Sequence, residues 1–263
     1  MIQTALITGA SSGIGYELAK CFARDHIHLV LVARDEARLN RIAAELTAAT
    51  GVSTKIIAAD LSRATAPQEI YWETQRVSIA VDYLVNNAGF GFAGPFLETD
   101  LTAELSMLQV NVASVVHLTK LYIADMRQRS FGGILNVAST AAFQPGPFMA
   151  TYFAGKAFVL SFTEALAEEL RDTGLTATAL CPGPTATEFA RRAKLENPRH
   201  KNPIALHTMS ASDVAEIGYR AFREGKPMVI PGWINQALTQ SVRLSPRALT
   251  RRITGKYQQA KLT

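Results

Sequence analysis

Thr8-Gly9-Ala10-Ser11-Ser12-Gly13-Ile14-Gly15 closes a short apolar run, Thr4–Thr8, and opens a helical pattern, Gly13–Asp25. Gly9, Gly13 and Gly15 follow a G-x3-G-x-G spacing rather than G-x-G-x-x-G. Glycine admits tight turns and close backbone approach, and a helix N-terminus offers free N–H groups and a positive dipole end. Alone, such a loop can be a plain turn. Between the first strand and the first helix it reads as a pyrophosphate cradle, with Ser11, Ser12 and Ile14 in its lining.

The alternation continues along the chain. Strands are predicted at Thr4–Thr8, His28–Ala33, Thr54–Ala59, Tyr83–Asn86, Gly133–Ala138, Thr176–Cys181 and Met228–Ile230. Most are unbroken apolar runs, as expected of strands covered on both faces. Helical patterns lie between them at Gly13–Asp25, Glu36–Ala49, Ala66–Arg76, Thr102–Arg129, Tyr152–Asp172 and Ser212–Glu224. Strand alternating with helix predicts an α/β architecture: a single doubly wound Rossmann fold, a parallel sheet of about seven strands with helices on both faces. Residues 1–231 are expected to form one dinucleotide-binding domain, and 232–263 a basic helical extension of it. The longest unpatterned stretch, 183–210, is the expected substrate loop.

Composition excludes several classes. A chain of 263 residues that is 48% hydrophobic is no disordered protein. Cys21 and Cys181 sit in apolar runs and read as buried thiols, and the five histidines show no metal-ligand spacing. The net charge of +5 is segregated: seven bases and no acid follow Glu224, while residues 1–225 hold 20 bases against 22 acids. A nucleic-acid partner is therefore not expected. No secretory leader and no membrane-spanning run is read, so the expected setting is cytoplasmic.

The second strand ends in Ala33-Arg34. An acid at that end would accept from a ribose 2′-OH, whereas an arginine accommodates a 2′-phosphate. Arg34 could be a solvated strand end, but its placement favours the phosphate, and hence NADP(H). Asp35 and Glu36 read as the acidic first turn of the next helix, with Arg38 on its outer face. Asp60-Leu61, after the third strand, could read the adenine edge, and Asp60 could equally cap the following helix.

Two segments complete a pattern. The fourth strand runs into Asn86-Asn87-Ala88-Gly89, where small residues let backbone approach a flat ring. The fifth ends in Asn136-Val137-Ala138-Ser139, and Tyr152-Phe153-Ala154-Gly155-Lys156 follows, its tyrosine and lysine on one helix face. With TGASSGIG (8–15), NNAG (86–89), Ser139, Tyr152, Lys156 and Pro182-Gly183 in order, the chain resembles the short-chain dehydrogenase/reductase family, NADP-preferring branch, from Thr4 to Pro231. Gly155, where the family often has serine or alanine, is a small departure.

The resemblance implies hydride transfer between a nicotinamide and a carbonyl or secondary alcohol. It makes Tyr152 the proton donor or acceptor, its pKa lowered by the Lys156 ammonium and the oxidised nicotinamide. Ser139 steadies the reacting oxygen, and Lys156 holds the ribose. It implies that Asn111 sits in a helix irregularity holding a proton-relay water, and that Thr187 binds the carboxamide. Asn87, Ala88, Gly89, Pro182 and Gly183 complete the cofactor site. A non-catalytic NADP-binding regulator and an epimerase or dehydratase of the same family are the rivals.

Phe90, Phe92, Pro95, Phe96, Phe143, Pro147, Phe148, Met149 and Phe189 are either core or the wall of a pocket for a small apolar substrate of modest size. Arg191, Arg192, Lys194, Arg199 and Lys201 form a basic lid, with an anionic partner as the alternative. In the tail, Ser245-Pro246 starts a helix whose stripe is Leu249, Ile253 and Tyr257. It could dock on its own domain, on a partner subunit or weakly on an anionic membrane surface. By resemblance a homodimer or homotetramer is expected, pairing Thr102–Arg129 and Tyr152–Asp172.

Overall fold

The computed structural model describes residues 3–189, 193 and 208–262. The basic residues Arg191, Arg192, Lys194, Arg199 and Lys201 lie outside the described residues. Seven parallel strands form one sheet in the order β3-β2-β1-β4-β5-β6-β9. They are β1 Thr4–Thr8, β2 His28–Ala33, β3 Thr54–Ala58, β4 Tyr83–Asn86, β5 Gly132–Val137, β6 Leu175–Leu180 and β9 Met228–Val229. A separate parallel pair, β7 Thr185–Ala186 and β8 Met209–Ser210, ties together the two ends of the unpatterned stretch 183–210. The predicted doubly wound sheet is thus present, with ends shifted by a residue or so.

Alternation along each strand sends neighbours to opposite layers. Ile7, Leu31 and Leu135 meet Leu18 and Phe22 of α1 Gly13–Arg24 and Leu39 and Leu46 of α2 Glu36–Thr50. Val214 and Phe222 of α7 Ala211–Arg223 complete that layer. On the other face, Leu6, Val30 and Ile134 meet Ile70 of α3 Ala66–Arg76 and Leu118, Tyr122 and Met126 of α5 Ser114–Arg129. Leu6 is fully buried, so Leu6→Ala would cost about 2–5 kcal/mol.

Order reverses between β1 and β4, which opens a crevice at their C-terminal ends. Gly9, Asn87 and Ser139 all follow strand ends on this edge.

The structure adds detail to two helical predictions. The helix predicted at Thr102–Arg129 is α4 Leu101–Leu108, a π-helical segment Gln109–Ala113, and α5. The i→i+5 bond from Ser114 N–H to the Gln109 carbonyl marks the extra residue. In the tail, α8 Trp233–Leu244 and α9 Arg247–Leu262 form, but Leu249 and Ile253 point outward at 50% and 60% exposure. The face of α9 that packs inward is polar: Thr250, Thr254 and Gln258 are buried.

Candidate active site

The glycine loop is locked to the end of β4. The Thr8 hydroxyl accepts from the backbone N–H groups of Asn87 and Ala88, both at 3.0 Å, and donates to the Val85 carbonyl at 3.2 Å. Asn87 Nδ2 donates to the carbonyls of Thr8 at 2.9 Å and Gly9 at 3.2 Å. A Cβ at Gly15 would fall 2.4 Å from the Gly9 oxygen, so α1 can start against the turn only without one. Gly9 itself sits at φ +64, which also suits glycine. Ser12, the N-cap of α1, makes no side-chain cap hydrogen bond, and the first turn of α1 carries no acid. A helix start with no carboxylate of its own fits a phosphate.

At the adenosine end, Arg34 is exposed beyond buried Ala33. The Asp35 carboxylate accepts from Arg38 N–H at 2.9 Å and caps α2, so it is engaged in the helix start. Arg38 corrects its expected outward placement: its guanidinium reaches Glu188, beyond Gly183, at 3.2 Å. Asp60 accepts from Ser62 N–H at 3.0 Å, while Thr65 is the N-cap of α3, so Asp60 caps the turn before the helix. That hydrogen bond, helped by the charge of Arg34, holds its carboxyl below the ordinary range. Leu61 is buried, its carbonyl accepting from Ser114 Oγ at 3.1 Å.

Ser139 caps the 3-10 turn Thr140–Phe143. Its hydroxyl accepts from Ala141 N–H at 3.1 Å and donates to the Pro182 carbonyl at 3.4 Å. Tyr152 and Lys156 lie one turn apart on α6 Ala150–Glu169, both buried. Lys156 Nζ is 5.9 Å from the Tyr152 ring centroid and donates to the Val137 carbonyl at 2.7 Å. A buried ladder holds α6 to the sheet: Asn86 Nδ2 donates to Asn136 Oδ1 at 2.9 Å, and Asn136 Nδ2 to Thr163 Oγ1 at 2.9 Å.

Electrostatics correct one expectation. Burial pushes the Tyr152 hydroxyl up to about 12, with the Ser139 hydrogen bond acting the other way. Burial also pulls Lys156 down to about 8. The expected lowering of Tyr152 is therefore not produced by the chain's own groups: desolvation of the phenolate outweighs them. Cys181 is buried and its thiol is pushed up to about 12 by burial first, and Cys21 likewise.

Asn111 stands in the π-helical segment, as the resemblance implied. Its Nδ2 donates to the Phe90 carbonyl at 2.8 Å and its Oδ1 accepts from Phe90 N–H at 3.1 Å. The side chain thus fixes the segment after Gly89. Thr187 lies over the glycine loop: a Cβ at Gly13 would be 3.0 Å from its Cγ2. Gly183 is pressed by Asn235, whose Oδ1 would be 2.4 Å from a Cβ there.

Around Tyr152 gather Met107, Met149, Phe153, Phe90, Phe92 and Phe189. The Tyr152 and Phe189 rings are 5.4 Å apart. Of the predicted wall, Phe96 points outward at 63% exposure and Phe143 packs with the cluster of Val159 and Leu160. Phe153 and Met107 were missed; their signals were adjacency to Tyr152 and a position one turn before Asn111.

The family model described as short chain dehydrogenase matches residues 3–198. The very-long-chain 3-oxoacyl-CoA reductase of Anas platyrhynchos is 31% identical over 244 residues, covering 90% of this chain and 76% of that one. The 17-beta-hydroxysteroid dehydrogenase type 3 of Mus musculus is 36% identical over 194 residues, covering 73% of this chain and 63% of that protein. Among solved structures, a short-chain dehydrogenase from Sphingobium yanoikuyae in complex with NADPH has a TM-score of 0.82 and 30% identity, covering 94% of this chain and 95% of that chain. One from Burkholderia phymatum in complex with NAD has a TM-score of 0.79 and 28% identity, with 92% of each chain covered. The chain belongs to the short-chain dehydrogenase/reductase family of nicotinamide-dependent oxidoreductases.

Proposed function

We propose that this chain is an NADPH-linked reductase of ketones flanked by bulky apolar groups. The observation that carries the reading is the buried Tyr152 hydroxyl inside the wall of Phe90, Met107, Met149, Phe153 and Phe189. Two relatives whose names specify very-long-chain 3-oxoacyl-CoA and 17-beta-hydroxysteroid chemistry support a large apolar substrate.

The glycine loop and the start of α1 would hold the pyrophosphate, with Ser11, Ser12 and Ile14 beside it, and Arg34 the 2′-phosphate. Asp60 and Leu61 would border the adenine, and Asn87, Ala88, Gly89, Pro182, Gly183 and Thr187 the nicotinamide end. When bound, the nicotinamide supplies the hydride. With its pKa about 12, Tyr152 carries a proton at neutral pH, the form that reduction consumes. It donates that proton to the carbonyl oxygen. Ser139 donates a hydrogen bond to the same oxygen, and the Lys156 cation stabilises the phenolate left behind. Asn111 holds the segment that shapes this pocket and stands where the helix ladder is broken, the place for a water that returns a proton to Tyr152.

The exposed stripe Leu101, Leu105 and Leu108 on α4 supports a homo-oligomer built beside that helix. NADPH oxidation with ketones of rising apolar bulk, followed by product identification, tests the reading. kcat/KM rises with bulk if it holds. Preference for small polar carbonyls, or no NADPH consumption with any carbonyl, contradicts it.

A further inference from the structure

α8 and α9 bury several polar side chains and expose several large apolar ones, against the ordinary rule for surface helices. Asn235 and Thr239 of α8 are buried, and so are Thr250, Thr254 and Gln258 of α9. These polar groups find partners close by: Thr239 Oγ1 donates to the Asn235 carbonyl at 3.0 Å within α8, and Asn235 Nδ2 to the Pro231 carbonyl at 2.8 Å just before it. Ile234, Val242 and Tyr257 are half-buried, while Trp233, Leu238, Leu244, Leu249 and Ile253 face out. Trp233 is 76% exposed and Leu244 89%, and Leu249 and Ile253 repeat the pattern one helix later. Water gives no reason to turn these groups outward.

Charge identifies what covers them. Arg243, Arg247, Arg251, Arg252 and Lys256 are exposed beside the apolar residues, and no acid follows Glu224 in the chain. Two copies meeting through this face would bring like charges together; an anionic surface would not. An exposed tryptophan suits the boundary between headgroups and acyl chains. Among the described residues no helix is long and apolar enough to cross a membrane. Apolar side chains flanked by bases describe a helix lying in the plane of a bilayer surface.

We infer that α8 and α9 seat this protein on anionic lipid bilayers, apolar faces sunk between the headgroups. The position has a consequence. α8 packs on the turn Thr140–Phe143 that follows Ser139, and Gly255 of α9 lies against Pro147. The tail thus flanks the loop leading to Tyr152, and the docked enzyme presents that loop to the lipid. This last step rests on the proposed apolar substrate; the docking itself does not.

Flotation of the full-length protein with vesicles tests it. Phosphatidylcholine mixed with phosphatidylserine should carry the protein, and phosphatidylcholine alone should carry far less. Replacing Arg247, Arg251, Arg252 and Lys256 by glutamine should lower partitioning by at least about tenfold, since each base near a charged surface contributes several-fold. The pair Leu249→Ser and Ile253→Ser should also release the protein, with turnover of a water-soluble ketone and the melting temperature unchanged. Equal flotation with both vesicle types, or none with either, overturns the inference. So does dissociation of an oligomer in the serine variant without any change in flotation, which would assign the face to a second copy.

Discussion

Lys156 donates from Nζ to the carbonyl oxygen of Val137 at 2.7 Å, in a position 6% exposed, where burial pulls its pKa from 10.5 down to about 8. Between those values the unfolded chain binds more protons than the folded one, so folding stability rises with pH across that window. Below about 8 the folded protein bears the whole cost of a buried cation, on the order of 3 kcal/mol. Lys156→Met removes that cost but leaves the Val137 carbonyl short of a donor, which takes back about 1–2 kcal/mol. The variant should therefore melt above wild type at neutral pH, and its advantage should shrink as pH rises towards the ordinary lysine value. Reductase activity of the wild type should fall as pH rises through about 8, where Lys156 loses its charge, well before Tyr152 at about 12. Melting curves and NADPH oxidation across this range check both; a flat difference in melting temperature would remove Lys156 as the titrating group.

On the proposed reading, Arg34 sets cofactor preference. It is exposed, and neighbouring Asp35 is engaged in capping α2. Charge-assisted hydrogen bonds contribute about 1.5–3 kcal/mol, less at a wet rim. NADPH should be preferred over NADH by about 10- to 1,000-fold in kcat/KM. Arg34→Ala should raise KM for NADPH and change that for NADH little, while Ala33→Asp should move preference towards NADH. Equal use of both cofactors by the wild type would remove the NADP assignment.

Gly91 stands behind Tyr152, the proposed proton donor. A Cβ there would fall 2.9 Å from Tyr152 Cδ2 and 3.1 Å from Phe189 Cζ. Gly91→Ala should displace the phenol ring and lower kcat by up to about 100-fold, with NADPH binding kept. Steady-state kinetics beside a cofactor titration separates this from misfolding; unchanged kcat would mean that the ring shifts without consequence.

Several of these positions were legible in the sequence because each rests on a local rule. Thr8 to Gly15 could be read from the glycines and the switch from apolar run to helix, and Tyr152 and Lys156 from their shared helix face taken together with the glycine loop, Asn86–Gly89 and Ser139. The break at Gln109–Ala113 left no trace in composition: one extra residue in a turn hardly disturbs an apolar periodicity. Arg38 was placed outward because helix phase alone cannot show that Glu188, far along the chain, comes to meet it. Leu249 and Ile253 were read as a stripe but could not be oriented, because helix phase alone does not show which side of the helix meets the domain. The rise of Tyr152 depends on burial by Phe153, Met107 and Phe189, a tertiary fact.

Tyr152 is the group proposed to give up the proton that reduction consumes. Tyr152→Phe removes one hydroxyl and leaves Lys156, the glycine loop and the apolar wall in place. Turnover of a ketone that the wild type reduces should fall by on the order of 100- to 10,000-fold, while the dissociation constant for NADPH, measured by fluorescence titration, stays within a few-fold. A variant that binds NADPH normally and keeps most of the wild-type rate would contradict the account.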